Sequence, residues 1–307
     1  MKFNFNEVYQ IESGASQKKI YRFKNNDKEG VLVDFSYNYK DYHSFLEVNK
    51  FLSTINISVP KIFEIDDSKN LILMEDFGSN RFDNIINSLD LKEVLLHSIN
   101  SLIEIQNNSE LVTNYNLDTY NFSSFKTEIA EFADFYLPFK NISKSIVEEF
   151  IIIWHSEFDN LNFNWNSFVH KDFELSNLMY LQNRKGHLKC GILDYQNAFI
   201  GFSGWDMFSL LENPRIYFDD KYNDELIEYF YNNTNQNISY SEFLIQYYFL
   251  NTARQSRIIG RWINLDKKNK NNNYSMYLDV TIKRLKKSLH YLQNDKLSKL
   301  YSKVISE

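Results

Sequence analysis

The sequence has only one cysteine, three prolines and eight glycines among its 307 residues. A single cysteine, Cys190, excludes an internal disulfide and favours a reducing compartment, most simply the cytoplasm. No apolar run approaches the roughly 20 residues that a membrane-spanning helix needs. The opening residues, MKFNFNEVYQ, do not have the pattern of a secretory signal. We therefore expect a cytoplasmic protein without a membrane segment.

Positive charge is also scarce. The chain has 34 Lys and Arg against 40 Asp and Glu, which gives a net charge of −6. Proteins that bind nucleic acid by neutralising phosphates need the opposite balance, so we expect no nucleic-acid partner. Hydrophobic residues make up 43% of the chain, which is enough for a large folded core. Cys190 lies in the apolar segment LKCGILDY, and we interpret it as a core residue rather than a reactive thiol.

Strand patterns dominate the first 75 residues. The segments QKKIYRFKN (17–25) and GVLVDFS (30–36) predict two strands around a polar turn, and residues 40–55 have apolar side chains at helical spacing. Two more strands are predicted after Pro60, whereas the pattern beyond residue 82 is mostly helical. The fold class predicted is α+β, with three parts: a sheet-rich N-terminal lobe at 1–75, a hinge at 76–81 and a helical C-terminal lobe at 82–307.

A dense set of polar residues interrupts the apolar segment FVHKDFELSNLMY (168–180). Asp172 is followed by Asn177, and the second strand of a predicted hairpin, CGILDY, ends in Asp194. Because a hairpin brings the start of one strand beside the end of the other, we expect these residues to be neighbours. The pattern H-x-D-x-x-x-x-N with a later strand-end Asp is that of kinase catalytic loops. There, one carboxylate orients the attacking hydroxyl and oxygen ligands hold Mg²⁺. His170 is interpreted as a support for the loop.

The segment after Asp194 indicates a small phosphate acceptor. The triplet Asp194-Tyr195-Gln196 contains no glycine, and the next anchoring Asp, Asp206, comes only 12 positions later. That distance is too short for the activation segment on which a protein kinase binds its peptide. We predict that the helices after residue 215 build a pocket for a small molecule.

These motifs, continued in GILDYQNAFIGFSGWDMFSLL (191–211), resemble the aminoglycoside phosphotransferase/choline kinase superfamily. Within it, the chain is similar to the bacterial kinases that phosphorylate the anomeric hydroxyl of N-acetylmuramate and N-acetylglucosamine. The segments SGASQKKIYRF (13–23) and ARQSRIIGRW (253–262) carry this closer likeness. The resemblance implies a protein-kinase-like two-lobe fold, ATP and Mg²⁺ as cofactors, and a small hydroxyl compound as acceptor.

The resemblance also implies roles for individual residues. Asp172 becomes the catalytic carboxylate, and Asn177 and Asp194 become Mg²⁺ ligands, with His170 and Asp206 as structural supports. The implied nucleotide-binding residues lie in the loop over the phosphates, just after it, and in the hinge segment MEDFG: Ser13, Gly14, Ala15, Ser16, Lys19, Glu75 and Phe77. The acceptor is predicted to meet two arginines that share a helical face, Arg254 and Arg257, for which salt bridges are the alternative reading.

Val33 stands where most of the superfamily has a phosphate-binding lysine, which the amino-sugar branch also tends to lack. Lys18, Lys19 and Arg22 are candidates to replace its charge, unless they only line the wet face of an edge strand. Two other functions stay open. One is a kinase for choline, ethanolamine, an aminoglycoside or a homoserine-like alcohol. The other is a catalytically inactive nucleotide-binding sensor. The sequence does not predict an oligomeric state.

Overall fold

A computed structural model gives the fold and describes residues 7–11, 18–25, 28–161, 166–216, 222–268 and 273–305. The strands of these residues are β1 (Glu7–Ile11), β2 (Lys19–Asn25), β3 (Lys28–Asp34), β4 (Ile62–Asp66), β5 (Leu71–Met74), β6 (Ser167–Val169), β7 (Leu178–Tyr180), β8 (Cys190–Ile192) and β9 (Phe199–Gly201). The helices are α1 (Tyr39–Thr54), α2 (Phe82–Ile85), α3 (Leu91–Asn107), α4 (Phe122–Glu131), α5 (Leu137–Phe139), α6 (Lys144–Asp159), α7 (Trp205–Leu211), α8 (Asn223–Asn232), α9 (Tyr240–Lys268), α10 (Leu278–Leu292) and α11 (Asp295–Val304).

The chain divides into two compact units, each assembled from separate stretches of sequence. The first unit comprises Met1–Asp118, Ser167–Phe199 and Glu225–Thr234. The second comprises Thr119–Asn166, Ile200–Asp224 and Asn235–Glu307. The predicted catalytic segment and the N-terminal sheet therefore belong to the same unit. The lobe boundaries drawn from the sequence at residues 75 and 82 stay a prediction.

The first unit contains a five-stranded antiparallel sheet in the order β1-β2-β3-β5-β4. Within it, Val33 of β3 lies between Ile20 of β2 and Ile72 of β5, and it is almost fully buried. The two predicted strands are confirmed, since β2 and β3 pair along their whole length. The predicted turn falls partly on residues 26–27, which lie outside the described residues. Strand β1 was not predicted, because EVYQI is only five residues long and its apolar and polar residues do not alternate regularly.

Helix α1 follows the first three strands. The Asn38 side chain accepts hydrogen bonds from the backbone N–H groups of Lys40 and Asp41, so it caps the start of the helix. The apolar face of the helix, which includes Phe45 and Phe51, is buried. The helix predicted at 40–55 is thus confirmed, and it supplies one wall against which the catalytic segment packs.

The second unit is helical and rich in buried aromatic side chains. Helix α9 runs for 29 residues, and its Gly260 lies so near the 131–132 backbone that an added Cβ would be 2.1 Å from the Glu131 carbonyl oxygen. Glu212 is buried in an ion-pair cluster with Arg284 (2.6 Å) and Lys287 (2.9 Å). The structure confirms the α+β class that the sequence predicts. In the described part of the chain, no helix combines the length and hydropathy that crossing a bilayer requires.

Candidate active site

A short hairpin brings the predicted catalytic residues together. Strands β7 and β8 pair in antiparallel register, with Leu178 opposite Ile192. One step beyond this pair, the Leu193 N–H donates to the Asn177 carbonyl at 3.0 Å. Asn177 thus lies immediately before β7, and Asp194 lies two residues after the end of β8, which is the juxtaposition that the sequence predicts. Their roles as metal ligands stay predictions.

The loop that carries Asp172 is tied to Asn177 by a network of hydrogen bonds. The Asn177 side-chain Nδ2 donates to the Asp172 carbonyl at 2.8 Å. The Glu174 N–H donates to the same carbonyl at 2.9 Å, and the Asn177 N–H donates to the Glu174 carbonyl at 2.8 Å. Because Nδ2 is engaged, the amide oxygen Oδ1 is the group that Asn177 can offer to a cation. The network fixes the distance between the predicted base and the predicted ligand.

His170 links the catalytic loop to the backbone just before Asp194. Its ring is fully buried, and Nε2 lies 2.9 Å from the Leu193 carbonyl oxygen, to which it donates. Burial lowers the pKa of His170 below its ordinary value, although Asp172 and the Leu193 carbonyl act in the opposite direction. A buried, neutral imidazole that is hydrogen-bonded to Leu193, the residue before Asp194, is consistent with the structural role predicted for His170.

Asp194 is held by two partners. Lys18 Nζ forms an ion pair with Oδ1, and Gln196 Nε2 donates to the same oxygen at 3.0 Å. Burial by itself raises the pKa of Asp194. The charge of Lys18 and the hydrogen bonds from Lys18 and Gln196 lower that pKa by more, so the net shift is downward. The carboxylate therefore stays ionised at neutral pH.

Two residues beside this site have a left-handed backbone. Lys171 has φ of 81° and Asp194 has φ of 64°. Such conformations cost free energy in residues other than glycine, and they cluster at functional sites where the surroundings hold them in place. Helix α1 provides part of that support, because Asn49 Nδ2 donates to the Tyr195 hydroxyl at 2.7 Å and Phe45 stacks on the Tyr195 ring.

The hinge segment begins where β5 ends. The Glu75 N–H donates to the Lys61 carbonyl at 2.9 Å, and the Glu75 carboxylate accepts from Arg184 at 2.9 Å. The Arg184 guanidinium also lies over the Phe77 ring, 5.1 Å from its centroid. The Glu75 side chain is thus engaged by Arg184, and nucleotide binding by Glu75 and Phe77 stays a prediction.

The predicted phosphate loop, Ser13, Gly14, Ala15 and Ser16, lies outside the described residues. Of the three cations that follow it, Arg22 forms an ion pair with Asp76 and donates to the Gly78 carbonyl at 2.9 Å. Lys19 is exposed on β2, and only Lys18 extends to the catalytic segment. Sequence reasoning did not single out Lys18, because two adjacent lysines give no signal for which one turns inward.

The oxygen donors at the hairpin end suit Mg²⁺. Among the residues that the structure describes, no group of three or more His, Cys, Asp or Glu side chains is arranged to hold a metal ion. Mg²⁺, however, is usually bound through one or two carboxylates, with phosphate oxygens and waters completing its shell. The Asp194 carboxylate and the Asn177 amide oxygen, both hard donors, fit an ion that is shared with a nucleotide rather than enclosed by protein.

The remaining predicted site residues lie in the second unit. Arg254 is buried on α9, and Arg257 lies one turn further along, 3.5 Å from Glu128. Glu128 also accepts from the Tyr120 hydroxyl at 3.2 Å. Arg257 is therefore in a salt bridge, the alternative that the sequence left open. Asp206 is buried in the first turn of α7.

Cys190 gives a direct chemical test of the hairpin. It is fully buried in β8, and burial raises the pKa of its thiol to about 12. The reactive thiolate is then on the order of 10⁻⁴ of the population at pH 8. We expect iodoacetamide to modify the native protein at least about 100-fold more slowly than the urea-unfolded protein, as followed by mass spectrometry. Equal rates would contradict a core position for Cys190.

The fold is protein-kinase-like, of the type found in choline kinases and aminoglycoside phosphotransferases. The structure is similar to a choline/ethanolamine kinase family protein from Mesorhizobium loti, with a TM-score of 0.61 and 10% identity over 97% of this chain and 92% of that one. It is also similar to a GDP complex of an aminoglycoside phosphotransferase, with a TM-score of 0.62 and 10% identity over 95% and 94% of the two chains.

Curated relatives share more of the sequence. The chain is 26% identical to the N-acetylmuramate/N-acetylglucosamine kinase of Caulobacter vibrioides over 181 residues, which are 56% of this chain and 50% of that protein. It is 23% identical to the protein of the same name from Pseudomonas aeruginosa over 211 residues, 67% of this chain and 60% of that protein. The similarity thus spans half to three fifths of these relatives. No protein-family model matches the chain.

Proposed function

We propose that this protein is an ATP- and Mg²⁺-dependent kinase that phosphorylates a hydroxyl group of a small molecule. The observation that carries the proposal is the hairpin end, where Asn177 donates to the Asp172 carbonyl and lies beside the strand that leads to Asp194. Phosphoryl transfer needs one positioned carboxylate and oxygen ligands for a metal at fixed spacing. The similarity to curated kinases supports the same activity.

In the reaction, Asp172 orients the acceptor hydroxyl and accepts its proton. The acceptor oxygen forms a bond to the γ-phosphorus as the bond from that phosphorus to the β,γ-bridging oxygen breaks. The products are ADP and a phosphate monoester. Asn177 and Asp194 would hold Mg²⁺, which when bound neutralises charge on the phosphates.

The nucleotide is proposed to bind where the sequence places it. Residues 76–81 would form the hinge between an N-terminal lobe at 1–75 and a C-terminal lobe at 82–307, and the backbone near Glu75 and Phe77 would meet the adenine. The loop at 13–16 would cover the phosphates, since backbone N–H groups there can face an anion.

The acceptor is proposed to be an amino sugar of the N-acetylmuramate or N-acetylglucosamine type, phosphorylated at its anomeric hydroxyl. The names of the curated relatives support this choice. Arg254 and Arg257 remain the proposed acceptor contacts. For Arg257 this requires that a sugar or its carboxylate bind beside the existing Glu128 pair. Two arginines also disfavour a cationic acceptor such as choline.

An acceptor panel tests this function. Purified protein with MgATP is given N-acetylmuramate, N-acetylglucosamine, choline, ethanolamine, homoserine and an aminoglycoside, and ADP release is followed by a coupled assay. The matched control is the methyl glycoside of N-acetylglucosamine, in which the anomeric oxygen is blocked. We expect turnover of both free amino sugars and none of the glycoside.

Turnover of choline alone would contradict the amino-sugar proposal, and equal turnover of the blocked glycoside would contradict phosphorylation at the anomeric hydroxyl. Either result would leave a kinase. Nucleotide binding with no turnover of any acceptor would favour the sensor instead. The panel therefore tests the identity of the acceptor separately from the presence of kinase activity.

A further inference from the structure

Strand β3, which lies between β2 and β5, has no Lys or Arg after its first residue, Lys28. In protein kinases a lysine on the third strand pairs with the phosphates. Here β3 has no Lys or Arg between Glu29 and Asp34, and Val33 is buried between apolar residues of both neighbouring strands. A triphosphate bound near Asp194 would still need a positive partner, because anionic oxygens are bound most strongly by charged donors.

Lys18 lies just before a neighbouring strand and contacts the catalytic segment. It immediately precedes β2, whose first residue, Lys19, pairs with Asp34 at the end of β3. The side chain of Lys18 is only 10% exposed, and its Nζ reaches Oδ1 of Asp194 across 176 positions of sequence. Lys19 is exposed, and so is Lys24 further along the same strand.

Lys18 forms its ion pair with Asp194, which the proposed function assigns as a Mg²⁺ ligand. A buried ammonium is costly without an anion. When Asp194 ligates a cation, its negative charge is shared with the metal, and phosphate oxygens bound to the same metal would offer a further anion to Lys18. Gln196 is already positioned to stay with Asp194, because its own carbonyl accepts from Ser44 of α1 at 2.6 Å and its Nε2 donates to Oδ1.

We propose that Lys18 is the phosphate-binding lysine of this protein, supplied by the start of β2 in place of β3, and that it exchanges Asp194 for the nucleotide phosphates when MgATP binds. The inference rests on the proposed function for its ligand, a nucleoside di- or triphosphate. It selects Lys18 from the three cations that the sequence offered as candidates, Lys18, Lys19 and Arg22, whereas Lys19 was the one named among the predicted nucleotide-binding residues.

Calorimetry with adenosine and with MgADP tests this exchange without any turnover. Lys18→Met should weaken MgADP binding about 10- to 100-fold and leave adenosine binding unchanged, because only MgADP has phosphates. Lys18→Arg should recover part of the loss. Lys24→Met, a lysine of the same strand away from the site, is the matched control and should bind both ligands as the wild type does. Lys19→Met should change MgADP binding less than Lys18→Met.

Unchanged MgADP affinity in Lys18→Met, an equal loss of adenosine and MgADP binding, or a larger loss in Lys19→Met would each overturn the proposal. If Lys18→Met does not fold, Asp194→Asn is compared with the double variant Lys18→Met/Asp194→Asn, in which no carboxylate is left without Lys18. A lower affinity for ADP in the double variant, with unchanged affinity for adenosine, would support the proposal, and equal ADP affinity would overturn it. A phosphate-dependent loss in a protein that turns over no acceptor would support the role of Lys18 and contradict the kinase. Normal turnover of an amino sugar with unchanged MgADP affinity in Lys18→Met would support the kinase and contradict the role of Lys18.

Discussion

Replacing Asp172 by asparagine is expected to reduce kcat by about 10³-fold and to change the affinity for MgADP by less than about twofold. The amide keeps the shape of the side chain but cannot accept the hydroxyl proton. The loop should keep its conformation, because its hydrogen bonds use the Asp172 carbonyl rather than the carboxylate. Steady-state kinetics on the best acceptor of the panel and calorimetry with MgADP measure the two quantities.

The matched control for this substitution is Asp118→Asn. Asp118 is largely exposed in an ion pair with Lys40, and such pairs contribute about 0–1 kcal/mol. It should leave both kcat and affinity unchanged. If Asp172→Asn retained turnover within about threefold of the wild type, the catalytic role of Asp172 would be refuted.

Replacing Asp194 by asparagine is expected to have a comparably large effect by a different route. The variant should lose the increase in ADP affinity that Mg²⁺ produces in the wild type, and kcat should fall by about 10³-fold or more. An amide is a weaker ligand for Mg²⁺ than a carboxylate, and the ion pair between Lys18 and residue 194 is lost at the same time. ADP titrations in excess Mg²⁺ and in EDTA give the Mg²⁺ dependence directly.

Gln196→Glu is an informative companion, since it replaces a donor to Asp194 by a second carboxylate. Repulsion between the two carboxylates destabilises the metal-free state, so the variant should need a lower Mg²⁺ concentration for half-maximal ADP binding and keep a clear Mg²⁺ effect. An Asp194→Asn protein that binds ADP with the same Mg²⁺ dependence as the wild type would show that the metal is held elsewhere.

The parts of the fold that the sequence predicted are those set by local pattern. The strands β2 and β3 are short segments rich in β-branched and aromatic residues on either side of a polar sequence, and α1 has a cap followed by apolar residues at helical spacing. The hairpin of β7 and β8 followed from two short apolar runs, and it alone was enough to predict that Asn177 and Asp194 would be neighbours.

What the sequence did not predict depends on contacts between distant residues. The inward turn of Lys18 is decided by Asp194, and the salt bridge of Arg257 by Glu128 on another helix. Neither Asp194 nor Glu128 lies at a distance along the sequence that would identify it as the partner of Lys18 or Arg257. Short elements were missed for a related reason: α7 has only seven residues, all buried, so it shows no amphipathic period by which a helix could be recognised.

The most direct test is a crystal structure with Mg²⁺ and a non-hydrolysable ATP analogue. We predict a metal ion about 2.0–2.1 Å from oxygens of both Asn177 and Asp194, with the terminal phosphate facing the Asp172 carboxylate and Lys18 moved from Asp194 to the phosphates. A nucleotide bound elsewhere, or bound with its metal away from Asn177 and Asp194, would contradict the account.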